Sequence, residues 1–309
     1  MIDTPLSIGR IRVRAADALI LGALVLISLL AVLSNRRIED WTTLVAKNIL
    51  IIAIYLGFVS YSERRAKGFW RFFLRMIAIM LTLAYINLAV EKLQLIIYGR
   101  WMDSTVVGLE NAVFGVQPTL WMQRIISKPL TEWMMFSYVI YLPLYPILCT
   151  IVYARRNESA AEDCLFGLAL SNIICDLSFM LFPVAGPIAY MGSQYTVPLQ
   201  GGIWTWFAEA LRHHAQFVGG SIPSPHCANA TMMWLLAHRY HRSLFWIMTP
   251  IVLSLYISTV YGRFHYATDA ILGVAAGIFF FAVAPSCRRA WARMAARRDV
   301  RIRHQKDCS

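Results

Sequence analysis

Apolar residues gather in eight long windows along the chain, at 18–34, 42–61, 72–90, 131–152, 164–184, 226–240, 244–261 and 266–284. A helix needs about 20 apolar residues to cross about 30 Å of hydrocarbon. The pattern therefore predicts an all-α, polytopic membrane bundle of about eight transmembrane helices. The window at 226–240 is the shortest. Roughly 15 residues rise only about 22 Å, so its first turn is expected below the outer membrane surface. The first window follows "GRIRVR" and has no small-residue cleavage site, so it reads as a retained anchor and not a signal peptide.

Two segments between windows are long, 91–130 and 185–225. Structureless loops of that length are unusual. Both carry tryptophan and apolar residues at helical spacing; Trp204, Phe207, Ala208 and Leu211 share one helix face. Both are expected to form interfacial helices.

Composition agrees with the windows. The chain is 58% hydrophobic and 15% charged, with mean hydropathy +0.55; soluble domains carry about 25% charged residues. The net charge of +12 is distributed by side. With the N-terminus inside, 19 Lys and Arg fall in inner segments and 8 in outer ones, the bias expected of cytoplasmic loops. Both termini are then cytoplasmic. The basic tail reads as a surface anchor on anionic lipid, and nucleic acid is not expected as a partner. Lys47 and Arg75 lie within spans near their ends, where long cationic side chains are expected to snorkel. Asp176, beside Ser171 and Asn172 in the fifth window, is expected to be an intramembrane structural partner or a headgroup contact. The six cysteines lack a C-x-x-C pair and are scattered over both sides and the spans, so no disulfide framework is expected.

The histidines carry the candidate chemistry. The topology puts His213, His214, His226 and His265 outside, and His238, His241 and His304 inside. In "SIPSPHCANA", Ser224 suits an N-cap and Pro225 the first helical position. His226 then lies in the first turn, where unpaired N–H groups favour anions. In "TVYGRFHYATDAILGVAAG", Gly262 ends one helix and the next begins near His265. His265 and Asp269 are four apart and share a face. A carboxylate there orients the imidazole and leaves its other nitrogen free. Arg263, two residues before His265, suits phosphate.

These two stretches resemble motifs of the type 2 phosphatidic acid phosphatase superfamily. P-S-G-H is matched by Pro223, Ser224 and His226, with Pro225 in place of glycine. S-R-x5-H-x3-D is matched by Ser258, His265 and Asp269. "HYATD" and "FPVAGPIAY" (182–190) are similar to the branch that contains inositol phosphorylceramide and sphingomyelin synthases. Two features depart: Thr259 fills the arginine slot, and the K-x6-R-P motif is absent. Arg263 and Arg212 are the substitute candidates for binding phosphate, with Ser224 at the helix start. The resemblance covers roughly 72–284. It implies a six-helix catalytic core at 72–284, preceded by a two-helix extension at 1–71 and followed by a basic cytoplasmic tail at 285–309.

The resemblance implies covalent catalysis on a lipid phosphate or phospholipid at the outer membrane face. His265 attacks phosphorus, His226 serves as acid and then base, and Asp269 orients His265. No metal or other cofactor is implied. The acceptor is water in a phosphatase and an alcohol, such as inositol or a lipid, in a phosphotransferase. Two other classes stay open: a hydrolase holding zinc on His226, His265 and Asp269, and a non-catalytic lipid-binding or transport protein. Oligomeric state is not legible.

Overall fold

The computed structural model describes residues 6–8, 11–215 and 217–307. Two three-residue strands, Leu6–Ile8 and Ile11–Val13, pair antiparallel ahead of the helices. The helices, in chain order, are α1 (Ala15–Leu33), α2 (Trp41–Arg65), α3 (Gly68–Glu91), α4 (Asp103–Phe114), α5 (Pro118–Trp121), α6 (Lys128–Arg155), α7 (Glu158–Ser178), α8 (Pro187–Met191), α9 (Ile203–Ala215), α10 (Pro225–Tyr240), α11 (Arg242–Tyr261) and α12 (Ala267–Asp307). Each apolar window falls mainly on one helix, the fifth running past the end of α7 at Ser178 into the turn that follows, and the fold is an all-α polytopic bundle.

Six of these helices are long and apolar enough to cross a membrane: α1, α2, α3, α6, α11 and α12 as far as Arg297. The other two expected spans, α7 and α10, are the enclosed ones. α7 buries 14 of its 21 residues and packs on α1, α3, α6, α10 and α12. α10 packs on α6, α7, α11 and α12. Protein surrounds them where lipid would surround an outer helix, so their faces tolerate Asn172, Asp176 and Asn229.

α10 and α12 approach closely through Gly273 and Gly277, a G-x-x-x-G step. A Cβ at Gly273 would stand 2.6 Å from the Ser224 carbonyl oxygen, and one at Gly277 would stand 2.5 Å from the Ala228 oxygen. Only glycine permits this backbone contact, and it brings the starts of the two helices together.

Arg75 does not snorkel. It is fully buried between α1, α3 and α7, where it pairs with Asp17 at 3.0 Å and with Glu162. Arg14 joins Glu162 and Glu158 at 2.8 Å, and Arg71 bonds Glu158 at 2.8 Å. A position near the end of α3 predicts solvent for Arg75; the acidic groups of α1 and α7 supply internal partners instead. The five described cysteines are free thiols.

The two long segments are helical, as expected: α4 and α5 in one, α8 and α9 in the other. Glu132 of α6 accepts the N–H groups of Gly202, Trp204 and Thr205 and the Thr205 hydroxyl. An anion at a helix N-terminus is favourable, and this one docks α9 on α6. The docked face of α9 carries Trp204 and Ala208. Phe207, expected on that face, is largely exposed beside Trp206 and marks its edge.

Candidate active site

Local sequence rules build the first half of the site. Ser224 caps α10, its hydroxyl accepting the Cys227 N–H, and Pro225 takes the first helical position. The Ser224 N–H donates in turn to the Asp269 carbonyl, 3.0 Å away, tying the start of α10 to α12. His226 follows in the first turn, half-buried.

The second half is a tight exit from α11. Gly262 N–H donates to Ser258 O, and the N–H groups of Phe264 and His265 both reach Thr259 O, at 2.9 and 3.0 Å. Arg263 takes a left-handed conformation (φ 63°), uncommon for a residue with a side chain. Thr259, in the slot where the resemblance expects arginine, thus contributes its carbonyl to folding the turn. Its hydroxyl bonds back to Tyr256 O.

The turn brings the two imidazoles together. His265 Nε2 lies 3.3 Å from His226 Nδ1. On its other side, His265 Nδ1 lies 3.6 Å from Asp269 Oδ2, a charge contact slightly longer than a hydrogen bond. Asp269 Oδ2 is held by the Ser221 hydroxyl at 2.7 Å and the Tyr266 N–H at 2.9 Å. His265 is only 4% exposed and Asp269 fully buried. Tyr138 of α6 closes the row, with its hydroxyl 3.2 Å from His226 Nε2. Its ring stacks flat on Phe264, centroids 3.9 Å apart, and also on His226 at 4.9 Å.

The cations stand around this row. Arg212 of α9 lies over the Phe264 ring at 4.3 Å, donates to Gly262 O at 2.6 Å and pairs with Glu209 at 3.6 Å. Arg263 lies over Tyr195 at 4.3 Å and donates to Val197 O. Burial pushes both guanidinium pKa values down; for Arg263 the nearby Arg212 charge adds to this while Tyr195 opposes it. Among the described residues, neither arginine donates to either imidazole. Both flank the histidine turn.

Residues 105–283, more than half of the chain, match the PAP2 superfamily. The chain belongs to the PAP2 superfamily. The matched stretch runs from α4 into α12 and contains both histidines. Membership and the six membrane-capable helices make this an integral, multi-pass membrane protein of lipid phosphatase-like function. No curated protein and no solved structure matches the chain.

Several residues that the sequence reading did not single out support the PAP2 site. Asp103 of α4 accepts the Ala185 and Gly186 N–H groups and the Tyr266 hydroxyl, all at about 3 Å. This fixes the "FPVAGPIAY" loop, where Gly186 has φ 100°, against the residue after His265. Glu110, two turns along the same face of α4 at i+7, accepts the Thr268 N–H at 2.8 Å. Gln94 accepts the Gly220 N–H and donates to Val218 O, which anchors the approach to α10. Acidic residues seven apart on a short helix were the available signal for Asp103 and Glu110. Tyr138, Tyr141 and Tyr145, spaced i, i+3 and i+7, were the signal for a polar face on α6.

The remaining candidates lie elsewhere in this PAP2 fold. Asp176 accepts amide hydrogens from Asn87 and Asn172, at 2.9 and 2.8 Å, and Asn229 donates to Asn172. It is a structural partner joining α3, α7 and α10. His238 contacts Arg242, and His241 Nδ1 caps α11 through the Leu244 N–H; both sit at the end opposite the His226–His265 pair. His213 is exposed, and the His214 and His304 side chains lie outside the described residues. Among the described residues no three His, Cys, Asp or Glu side chains converge on one metal position. His265 presents one nitrogen to His226 and the other to Asp269, on opposite edges of its ring.

Proposed function

We propose that the chain is a lipid-phosphate phosphatase or phosphotransferase that works through a phosphohistidine on His265. The observation that carries this reading is the 3.3 Å approach of His265 Nε2 to His226 Nδ1, with Asp269 behind the far nitrogen of His265. A carboxylate at Nδ1 holds the proton there and leaves a lone pair on Nε2. That lone pair attacks phosphorus, forming the N–P bond as the P–O bond to the lipid alcohol breaks. His226 gives its proton to the departing oxygen. In the second half an acceptor O–H loses its proton to His226, its oxygen bonds phosphorus, and the N–P bond breaks. Arg212, Arg263 and the capped start of α10 at Ser224 provide positive potential for the phosphoryl oxygens.

The "HYATD" core supports an alcohol acceptor, as in the inositol phosphorylceramide and sphingomyelin synthase branch. The charge bias supports placing this end of the bundle on the outer face with both termini inside. The six helices from α3 onward that match the later windows form the proposed catalytic core, with α1 and α2 as the extension.

The test is trapping. Purified protein is exposed briefly to phosphatidic acid labelled at phosphorus, quenched in alkaline detergent and mapped. The label is expected on His265. His265→Ala is expected to lose the label and about 10³-fold or more in turnover. Label released as inorganic phosphate marks a phosphatase, and label passed to added inositol or diacylglycerol marks a transferase. Turnover that survives His265→Ala overturns the assignment.

A further inference from the structure

We infer that the end of the bundle opposite the two imidazoles carries a binding site for an anionic phospholipid, with its phosphate on Arg239 and the first methylenes of one acyl chain in a groove between α7, α10 and α12. The inference goes beyond the proposed reaction and does not depend on it.

Three helices build the groove. Met232, Leu236 and Arg239 are spaced i, i+4 and i+7 and share one face of α10. That face meets Phe166 and Gly167 of α7 and Phe281 and Ala284 of α12 around an open-mouthed pocket of about 250 Å³. Gly167 keeps one wall clear. A Cβ there would already stand 3.4 Å from Met232 Sδ, so a longer side chain would take up the space. The named lining is apolar as far as the mouth, where Asp163 and Arg239 stand. From Met232 to Arg239 the helix rises about 10 Å, the reach of several methylenes.

The mouth is charged unevenly. Asp163 is engaged: it accepts from the Tyr240 hydroxyl at 2.6 Å and pairs with Arg288. Arg239 is exposed, and among the described residues it makes no hydrogen bond or ion pair. Its guanidinium lies over the Phe281 ring at 4.1 Å. That contact uses the face of the cation and leaves its N–H fork for a phosphate. Arg156, which donates to Tyr240 O at 3.0 Å, and Arg289 are exposed at the same end. Basic pockets between helices on this kind of surface take anionic lipid headgroups. An uncommitted guanidinium at the head of an apolar slot suits a molecule with a charged head and a hydrocarbon tail. A free phosphate would leave the slot unused, and a neutral lipid would leave the guanidinium unused. His226 lies 13 residues before Arg239 on α10, a rise of about 20 Å. The groove is therefore separate from the histidine pair and faces the other leaflet.

The experiment counts lipids retained by the full chain in native mass spectrometry from detergent. The chain carries His265→Ala, so that the proposed reaction does not consume added lipid. Dioleoylphosphatidylglycerol, dioleoylphosphatidylcholine and glycerol 3-phosphate are added at equal concentration. One phosphatidylglycerol is expected to be retained, about tenfold over phosphatidylcholine, with no glycerol 3-phosphate. Arg239→Gln is expected to lower that retention about fivefold or more. Arg239→Lys, which keeps the charge, is expected to lose less. Arg64→Gln, at an exposed cation in the last turn of α2 at the same end, and Arg212→Gln, beside the histidine turn, are each expected to stay within about twofold. An equal loss in Arg64→Gln would mean diffuse attraction to the basic surface and overturns the inference. So does a loss in Arg212→Gln alone, which would put the lipid at the histidine end. Equal losses for Gln and Lys at position 239, or equal retention of phosphatidylcholine or glycerol 3-phosphate, overturn it as well.

Discussion

Glu110 is buried on α4, with one oxygen on the Thr268 N–H and the other unpartnered among the described residues. Burial lifts its carboxyl above the ordinary range; the nearby Asp269 charge lifts it further, while the Thr268 N–H pulls it back. The folded state therefore binds this proton more tightly than the unfolded chain. Stability from Glu110 is full below the unfolded value of about 4.3 and falls as pH rises through the raised folded value. Glu110→Gln keeps an acceptor and cannot ionise. Its melting temperature in detergent is expected to exceed that of the parent by a margin that widens from about pH 4 to neutral. A margin that narrows would mean the ion is the favoured form. Individual residues differed in how readable they were. Ser224 and Pro225 obey local capping rules, and the four-residue step from His265 to Asp269 is a property of one helix. Tyr138 reaches His226 from 88 positions away, and nothing local to "SYVIYLPLY" says which helix it will face.

Helices were legible as apolar windows, and all eight appeared. What the windows concealed was which helices meet lipid. α7 and α10 read as membrane spans, yet their value lies in being surrounded, which lets them carry an amide–carboxyl network. The contact between α10 and α12 is likewise written in the sequence, as Gly273 and Gly277, but its meaning depends on the partner helix. Gly277→Val would drive a side chain into the Ala228 oxygen and the Thr231 Cβ, 2.5 and 2.7 Å from the position of a Cβ. Overpacking of this kind costs about 1–3 kcal/mol, expected as a lowered melting temperature. A shift of about 1 Å between catalytic groups can cost on the order of 100-fold in rate, so turnover should fall more steeply than stability. Gly22→Ala, with nothing within 4 Å, is the control expected to change neither.

At the scale of the molecule, charge does two separate jobs. The excess of Lys and Arg on one side reads as an orientation signal. Position alone places Arg75 among the snorkelling residues, because it does not reveal Asp17, 58 residues away, or Glu162, 87 away. The cluster joins α1 to α3 and α7, at the end of the bundle opposite the imidazoles. Arg75→Met would leave the buried Asp17 carboxylate without its cation and Glu162 with Arg14 alone. Breaking a buried pair from one side costs about 3–5 kcal/mol, and the melting temperature should drop accordingly. Adding Asp17→Asn and Glu162→Gln to that variant should recover much of the loss, since no uncompensated charge then remains. Failure of the triple variant to recover would place the importance of Arg75 in its packing.

The touching imidazoles have a further consequence for the proposed reaction. Ring nitrogens 3.3 Å apart leave no room for a phosphoryl group between them, so an arriving headgroup must first prise the rings apart. In the proposed reaction His265 Nε2 is thus free to attack only once the rings part, and an oxyanion inhibitor has to compete with the contact between the two imidazoles as well as with water.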